Sequence, residues 1–193
     1  MNSYTIDLGK ISEEKFATIC QKNPDGKFEL NGKGELIIMS PTGWETGKRN
    51  AELVGQLWLW NRQTQLGEVF DSSTGFKLSN GAIRSPDVAW ITKEKWVSIT
   101  PEARAKFPSL APDFVLELMS PRDTLKATQA KLEEYVGTGV RLGWLINPKT
   151  RQVYIYRPGK TWEILDSPST LSGEDVLPGF VLELSFKTFS IIM

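Results

Sequence analysis

Residues 112–121 read Pro112-Asp113-Phe114-Val115-Leu116-Glu117-Leu118-Met119-Ser120-Pro121. The run has strand character, and a strand alternates its side chains between two faces. Phe114, Leu116 and Leu118 then share one face, and Val115, Glu117 and Met119 share the other. An acid amid such residues either faces solvent at an edge or needs a partner, because burying it alone is costly. Downstream, Ser120-Pro-Arg-Asp-Thr opens a helix to about Val136, which Gly137 and Gly139 end, with Asp123 as its cap. Leu125, Leu132 and Val136 form its apolar side, with Lys131 and Tyr135 on a neighbouring stripe.

Working outward, strands are expected at Gly143–Ile146, Gln152–Tyr156, Thr161–Leu165 and Phe180–Leu184. Upstream they are expected at Gly67–Asp71, Gly75–Leu78 and Asp87–Ile91, with short helices across 93–112. A helix follows Ser12 to about Gln21, and Phe28–Leu30 with Glu35–Met39 read as a hairpin. Thr42 with Glu45 forms a capping-box pattern ahead of a helix to about Gln65, with Leu53, Leu57 and Trp60 at helical spacing. The fold class is mixed α/β, in one domain over 1–193, since 193 residues suit about one domain.

Phe-Val-Leu-Glu-Leu occurs at 114–118 and again at 180–184, so the pentapeptide alone carries no function. What separates Glu117 from Glu183 is the surroundings. Glu117 is followed by the helix that bears Lys131 and preceded by a strand beginning Pro86-Asp87-Val88.

Composition narrows the chemistry. The chain has no His and one Cys, which excludes Ser-His-Asp and Cys-His catalysis, His-ligated zinc and any disulfide within the chain. Lys+Arg and Asp+Glu both number 23, so affinity for an anion has to come from local clustering. Residues 117–151 hold six Lys/Arg against four Asp/Glu, a mild bias that implies weak, salt-sensitive contact with nucleic acid. A homodimer would double those contacts. The N-terminal stretch 1–15 has no apolar core of signal-peptide length, no window is apolar over the length of a membrane span, and the chain reads as cytoplasmic.

Asp87 and Glu117, on adjacent strands and each near a strand start, could converge. Two carboxylates about 4 Å apart repel by about 4 kcal/mol at an effective dielectric of about 20. A divalent cation reverses that sign, and Mg²⁺ takes one or two carboxylates together with waters and phosphate oxygens. A lysine beside the pair would orient water and meet developing negative charge.

The ordered set of segments is similar to the Uma2-like restriction endonuclease family of the PD-(D/E)XK nuclease superfamily. The matching pieces are Met39-Ser-Pro-Thr-Gly, Arg84-Ser-Pro-Asp-Val-Ala and Pro112–Pro121. Lys131-Leu-Glu-Glu-Tyr, Gly139–Pro148 and Val153-Tyr-Ile-Tyr-Arg complete it. The resemblance implies a restriction-endonuclease-like core, a mixed central sheet flanked by helices, with an extra N-terminal hairpin and C-terminal strands. It also implies a Mg²⁺- or Mn²⁺-dependent endonuclease acting on DNA. Asp87 and Glu117 would be the metal ligands. The superfamily's lysine, expected at Met119, would stand instead at Lys131.

Glu45 and Glu52 are further candidates for a helix-borne acid, and Tyr135 for a phosphate contact or for packing. Arg84 and Arg122 are candidate phosphate ligands, since the guanidinium fork matches phosphate oxygens. Trp44 and Trp96 are base-stacking candidates if exposed, and Trp144 is expected in the core. Two other functions fit the same residues: a non-catalytic nucleic-acid-binding or interaction module on this fold, and a small-molecule phosphoesterase.

Overall fold

The computed structural model describes residues 3–6 and 8–184. Strand β1 (Ser3–Ile6) precedes helix α1 (Glu13–Lys22), whose N-cap Ser12 accepts a hydrogen bond from the Lys15 amide. The hairpin β2 (Lys27–Leu30) and β3 (Leu36–Met39) follows. Helix α2 (Trp44–Thr64) starts one residue later than the Thr42–Glu45 box requires. Its N-cap is Gly43, with no side-chain cap. Glu45 instead lies 3.8 Å from Arg49, one turn on.

Strands β4 (Gly67–Asp71), β5 (Phe76–Lys77), β6 (Ile83–Arg84) and β7 (Val88–Thr92) come next. Helices α3 (Lys93–Ser98) and α4 (Pro101–Arg104) are capped by Thr92 and Thr100 and fill the proline-broken stretch. Then come β8 (Phe114–Leu118), α5 (Leu125–Gly137), β9 (Leu142–Asn147), β10 (Gln152–Tyr156), β11 (Glu163–Asp166), β12 (Thr170–Ser172) and β13 (Val181–Glu183). The cap of α5 is Thr124, whose hydroxyl accepts from the Ala127 amide. Asp123 accepts from the Ser120 amide in the preceding turn.

Six strands form one sheet in the order β11-β10-β9-β8-β7-β4. Every pairing in it is antiparallel except β8 with β9. A parallel neighbour needs a crossover, and α5 is that crossover. The expected N-terminal hairpin is part of a larger antiparallel sheet, in the order β1-β3-β2-β6-β5. The sequence pattern missed β1, β6 and β12, the last two spanning two and three residues.

All five residues of β8 are buried, and the alternation holds. Phe114, Leu116 and Leu118 pack with Leu53, Leu57 and Trp60 of α2, with Trp144, and with Phe180 and Leu182 near the C-terminal hairpin. Val115 and Met119 pack beneath Leu132 and Tyr135 of α5. A sheet covered on both faces is the arrangement parallel pairing favours. Gly143 sits under α5, where a Cβ would come within 2.8 Å of Leu132, so the helix lies close to β9. Among the described residues no helix is long and apolar enough to cross a membrane.

Candidate active site

Val88 pairs with Leu116 across the antiparallel β7–β8 ladder, which sets Asp87 opposite Glu117. The two acids therefore meet as the start of one strand and the end of the other, and not as two strand starts. The Asp87 carboxylate replaces a ladder partner, with Oδ2 accepting from the Leu118 amide at 2.8 Å. Its Oδ1 accepts from Asn50 Nδ2 on α2 at 3.2 Å. Glu117 Oε1 accepts from the Tyr135 hydroxyl at 3.1 Å and lies 2.8 Å from Lys131 Nζ. Both acids are buried, at 6% and 7% exposure.

Lys131, Glu134 and Tyr135 follow the three-and-four spacing that puts side chains on one helix face. Lys131 is not a solvated lysine. Its ammonium also lies 2.9 Å from Oε1 of Glu29, on β2 in the other sheet. Glu29 Oε1 accepts from the Ser85 amide at 2.9 Å, and Oε2 lies 3.0 Å from Arg84. Arg84 Nε donates to Glu134 at 2.6 Å. Glu134 also accepts from the Gly32 amide and Asn80, so α5 is tied to the N-terminal sheet. Alternating charges thus run Glu134–Arg84–Glu29–Lys131–Glu117.

Burial pushes the Glu117 carboxyl up to about 7. Lys131 pulls against that shift, and the charges of Asp87 and Glu29 add to it. Burial likewise raises Asp87, against the Leu118 amide. Burial acts to raise Glu29 too, but Lys131, Arg84 and the Ser85 amide hold it below the usual range. Burial would lower Lys131, yet Glu117 and Glu29 hold it above its ordinary value, so it stays charged.

These groups open into a cleft of about 660 Å³ between the N-terminal sheet and α5, lined by Glu29, Met39, Asp87, Glu117, Arg122 and Lys131 among others. Arg122 is exposed at the cleft. Arg84 also lines it, but its fork is engaged by two carboxylates. Glu45 and Glu52 do not line the cleft. Glu45 is exposed beside Arg49, and Glu52 accepts from Gln56. The Glu183 side of the repeated pentapeptide is exposed, on β13. Trp44 is 95% exposed, Trp96 carries Arg104 3.9 Å above its ring, and Trp144 is fully buried.

Among the described residues no three His, Cys, Asp or Glu side chains gather as a metal cage. The donor set does fit a two-carboxylate site that leaves room for water and phosphate oxygens. Two adjacent buried acids are both raised by burial, and the buried Asn50 Oδ1, on the side chain that donates to Asp87, has no hydrogen-bond partner among the described residues.

Glu29, Asn50 and Glu134 are the site residues that sequence reasoning missed. Glu29 carries the same signal as Glu117, an acid between apolar neighbours on a strand, Phe28-Glu29-Leu30. Asn50 carries none, since it lies on α2 between Arg49 and Ala51.

The fold is shared with a crystal structure described as a putative nuclease belonging to DUF820 from Anabaena variabilis. The two chains superpose with a TM-score of 0.70 at 20% identity, over 84% of this chain and 88% of that one. No match is found among curated protein sequences. The model of the Uma2 family, described as "Putative restriction endonuclease", matches residues 13–185. That span takes in the strands of both acids, the hairpin of Glu29 and the crossover helix of Lys131, and the chain belongs to the Uma2 family.

Proposed function

We propose that this chain is a divalent-metal-dependent endonuclease that hydrolyses phosphodiester bonds in DNA. One observation carries the reading: Asp87 and Glu117 are buried opposite one another across β7 and β8, with Lys131 2.8 Å from Glu117, at an open cleft. The family description, a restriction endonuclease, supports DNA as the substrate.

Asp87 and Glu117 would hold Mg²⁺ or Mn²⁺. When bound, such an ion polarises a phosphoryl oxygen and lowers the pKa of its water. The chain's own groups do the rest. The Leu118 amide and Asn50 fix the Asp87 carboxylate. The Tyr135 hydroxyl fixes Glu117. Lys131, kept charged, donates towards the attacking water and the phosphoryl oxygens as negative charge develops. Arg122, exposed at the cleft, is placed to fork onto a flanking phosphate.

The test is plasmid cleavage with Mg²⁺ and with Mn²⁺, with Glu117→Ala and Glu183→Ala beside the wild type. Metal-dependent cutting lost only in the Glu117 variant is the expected result. No cutting by the wild type on varied DNA and RNA, together with no Mn²⁺ binding by calorimetry, overturns the proposal in favour of a non-catalytic binding module.

A further inference from the structure

Among the described residues Glu29 makes no hydrogen bond with Asp87 or Glu117, yet at 2% exposure it is more deeply buried than either. The Ser85 amide fixes one oxygen at 2.9 Å and Arg84 the other at 3.0 Å, with Arg84 itself held by Glu134. Among the described residues the Lys131 ammonium links it to the acid pair, 2.9 Å from Glu29 and 2.8 Å from Glu117 Oε1. Lys131 and Tyr135 both meet Oε1, and Glu117 Oε2 makes no hydrogen bond or ion pair among the described residues. The ammonium is therefore drawn to the Glu29 side of Glu117.

We infer that Glu29 is a positioning residue, a tether that keeps the Lys131 ammonium from closing the gap between Asp87 and Glu117. The inference rests on the proposed reading of that gap as the cation position. A lysine ammonium is a compact charge on a flexible four-carbon stem, and it moves to whichever anionic site is in reach. With Glu29 neutral, the remaining anionic site beside it is the acid pair. Bridging the two carboxylates, the ammonium would neutralise the charge that a divalent cation needs. The N-terminal sheet, which carries neither acid, thus keeps the acid pair open by holding the lysine.

The tether acts through Lys131, so its effect has to vanish when the lysine is removed. Mn²⁺ is titrated by calorimetry into the wild type, Glu29→Gln, Lys131→Met and the double variant. Glu29→Gln is expected to bind on the order of tenfold more weakly than the wild type. Lys131→Met is expected to bind no more weakly than the wild type. Adding Glu29→Gln to Lys131→Met should change affinity by less than about twofold. Glu29→Asp keeps the charge but shortens the arm. It should weaken binding as Glu29→Gln does, and it decides the matter if Glu29→Gln does not fold.

Wild-type affinity in both Glu29 variants overturns the tether and leaves the metal reading standing. So does an equal loss with and without Lys131, which would make Glu29 a simple source of negative charge. A wild type that binds no Mn²⁺ overturns the metal reading and the tether together.

Discussion

Lys131 Nζ lies 2.8 Å from Oε1 of Glu117, and it arrives from the crossover helix and not from the strand that carries the acid. Met119, two residues beyond Glu117 on the same strand face, packs at 8% exposure in the apolar cluster of Leu132 and Tyr135. Packing closes the strand position to a charge, and α5 supplies the ammonium from above.

Met119→Lys should therefore destabilise the protein by about 2 kcal/mol or more, as a charge placed in an apolar cluster does. Lys131→Met should keep the fold and slow metal-dependent cleavage on the order of 100-fold, the loss expected for one donor to developing charge. Urea unfolding reads the first and single-turnover plasmid cleavage the second.

Glu117 sets a pH dependence. Its folded pKa, about 7, lies above its ordinary value, so between the two the folded state holds a proton that the unfolded state has released. Stability of the metal-free protein should fall as pH rises through that window, by on the order of 3 kcal/mol in full. Glu117→Gln should remove this slope and raise Tm at pH 8, while matching the wild type near pH 4. Thermal unfolding in a chelator across that range checks it. An unchanged slope in the variant rules out Glu117 as its source.

Asp87→Asn tests the other ligand. Mn²⁺ should raise the Tm of the wild type, since a ligand that binds only the folded state stabilises it. In Asp87→Asn that rise should disappear, and cleavage with it. The metal-free fold should persist, because the Asn carbonyl can still accept from the Leu118 amide. Differential scanning fluorimetry with and without Mn²⁺ decides this.

Glu45→Gln, Glu52→Gln and Glu183→Ala are expected to be silent. All three residues are exposed, and neither helix acid lines the cleft. Stability should stay within about 0.5 kcal/mol of the wild type. Cleavage should be unchanged, and a large loss in Glu45→Gln would restore the helix-borne acid to the site.

The acid strand was legible because strand period is short-range. Alternation along 113–119 separates Phe114, Leu116 and Leu118 from Val115, Glu117 and Met119, and the two clusters packed on β8 keep that division. The stop-helix-strand pattern after Ser120 likewise marked α5 and β9. Caps were less legible. Thr42 and Asp123 both have capping chemistry, but Gly43 and Thr124 hold the capping positions, since one residue of register changes which side chain faces the open amides.

The sequence by itself determined which acids are set amid apolar strands, that a lysine follows on a helix, and that no histidine chemistry is available. Local pattern alone does not distinguish Glu29, Glu117 and Glu183; the surrounding segments set Glu117 apart from Glu183 but left Glu29 unmarked. Tertiary structure decided the rest. Antiparallel pairing put Asp87 opposite Glu117, the N-terminal sheet brought Glu29 within 2.9 Å of Lys131, and β13 left Glu183 exposed. The physical reason is range: a residue's face is set by its immediate neighbours, whereas its charge partners come from strands and helices far away in the chain.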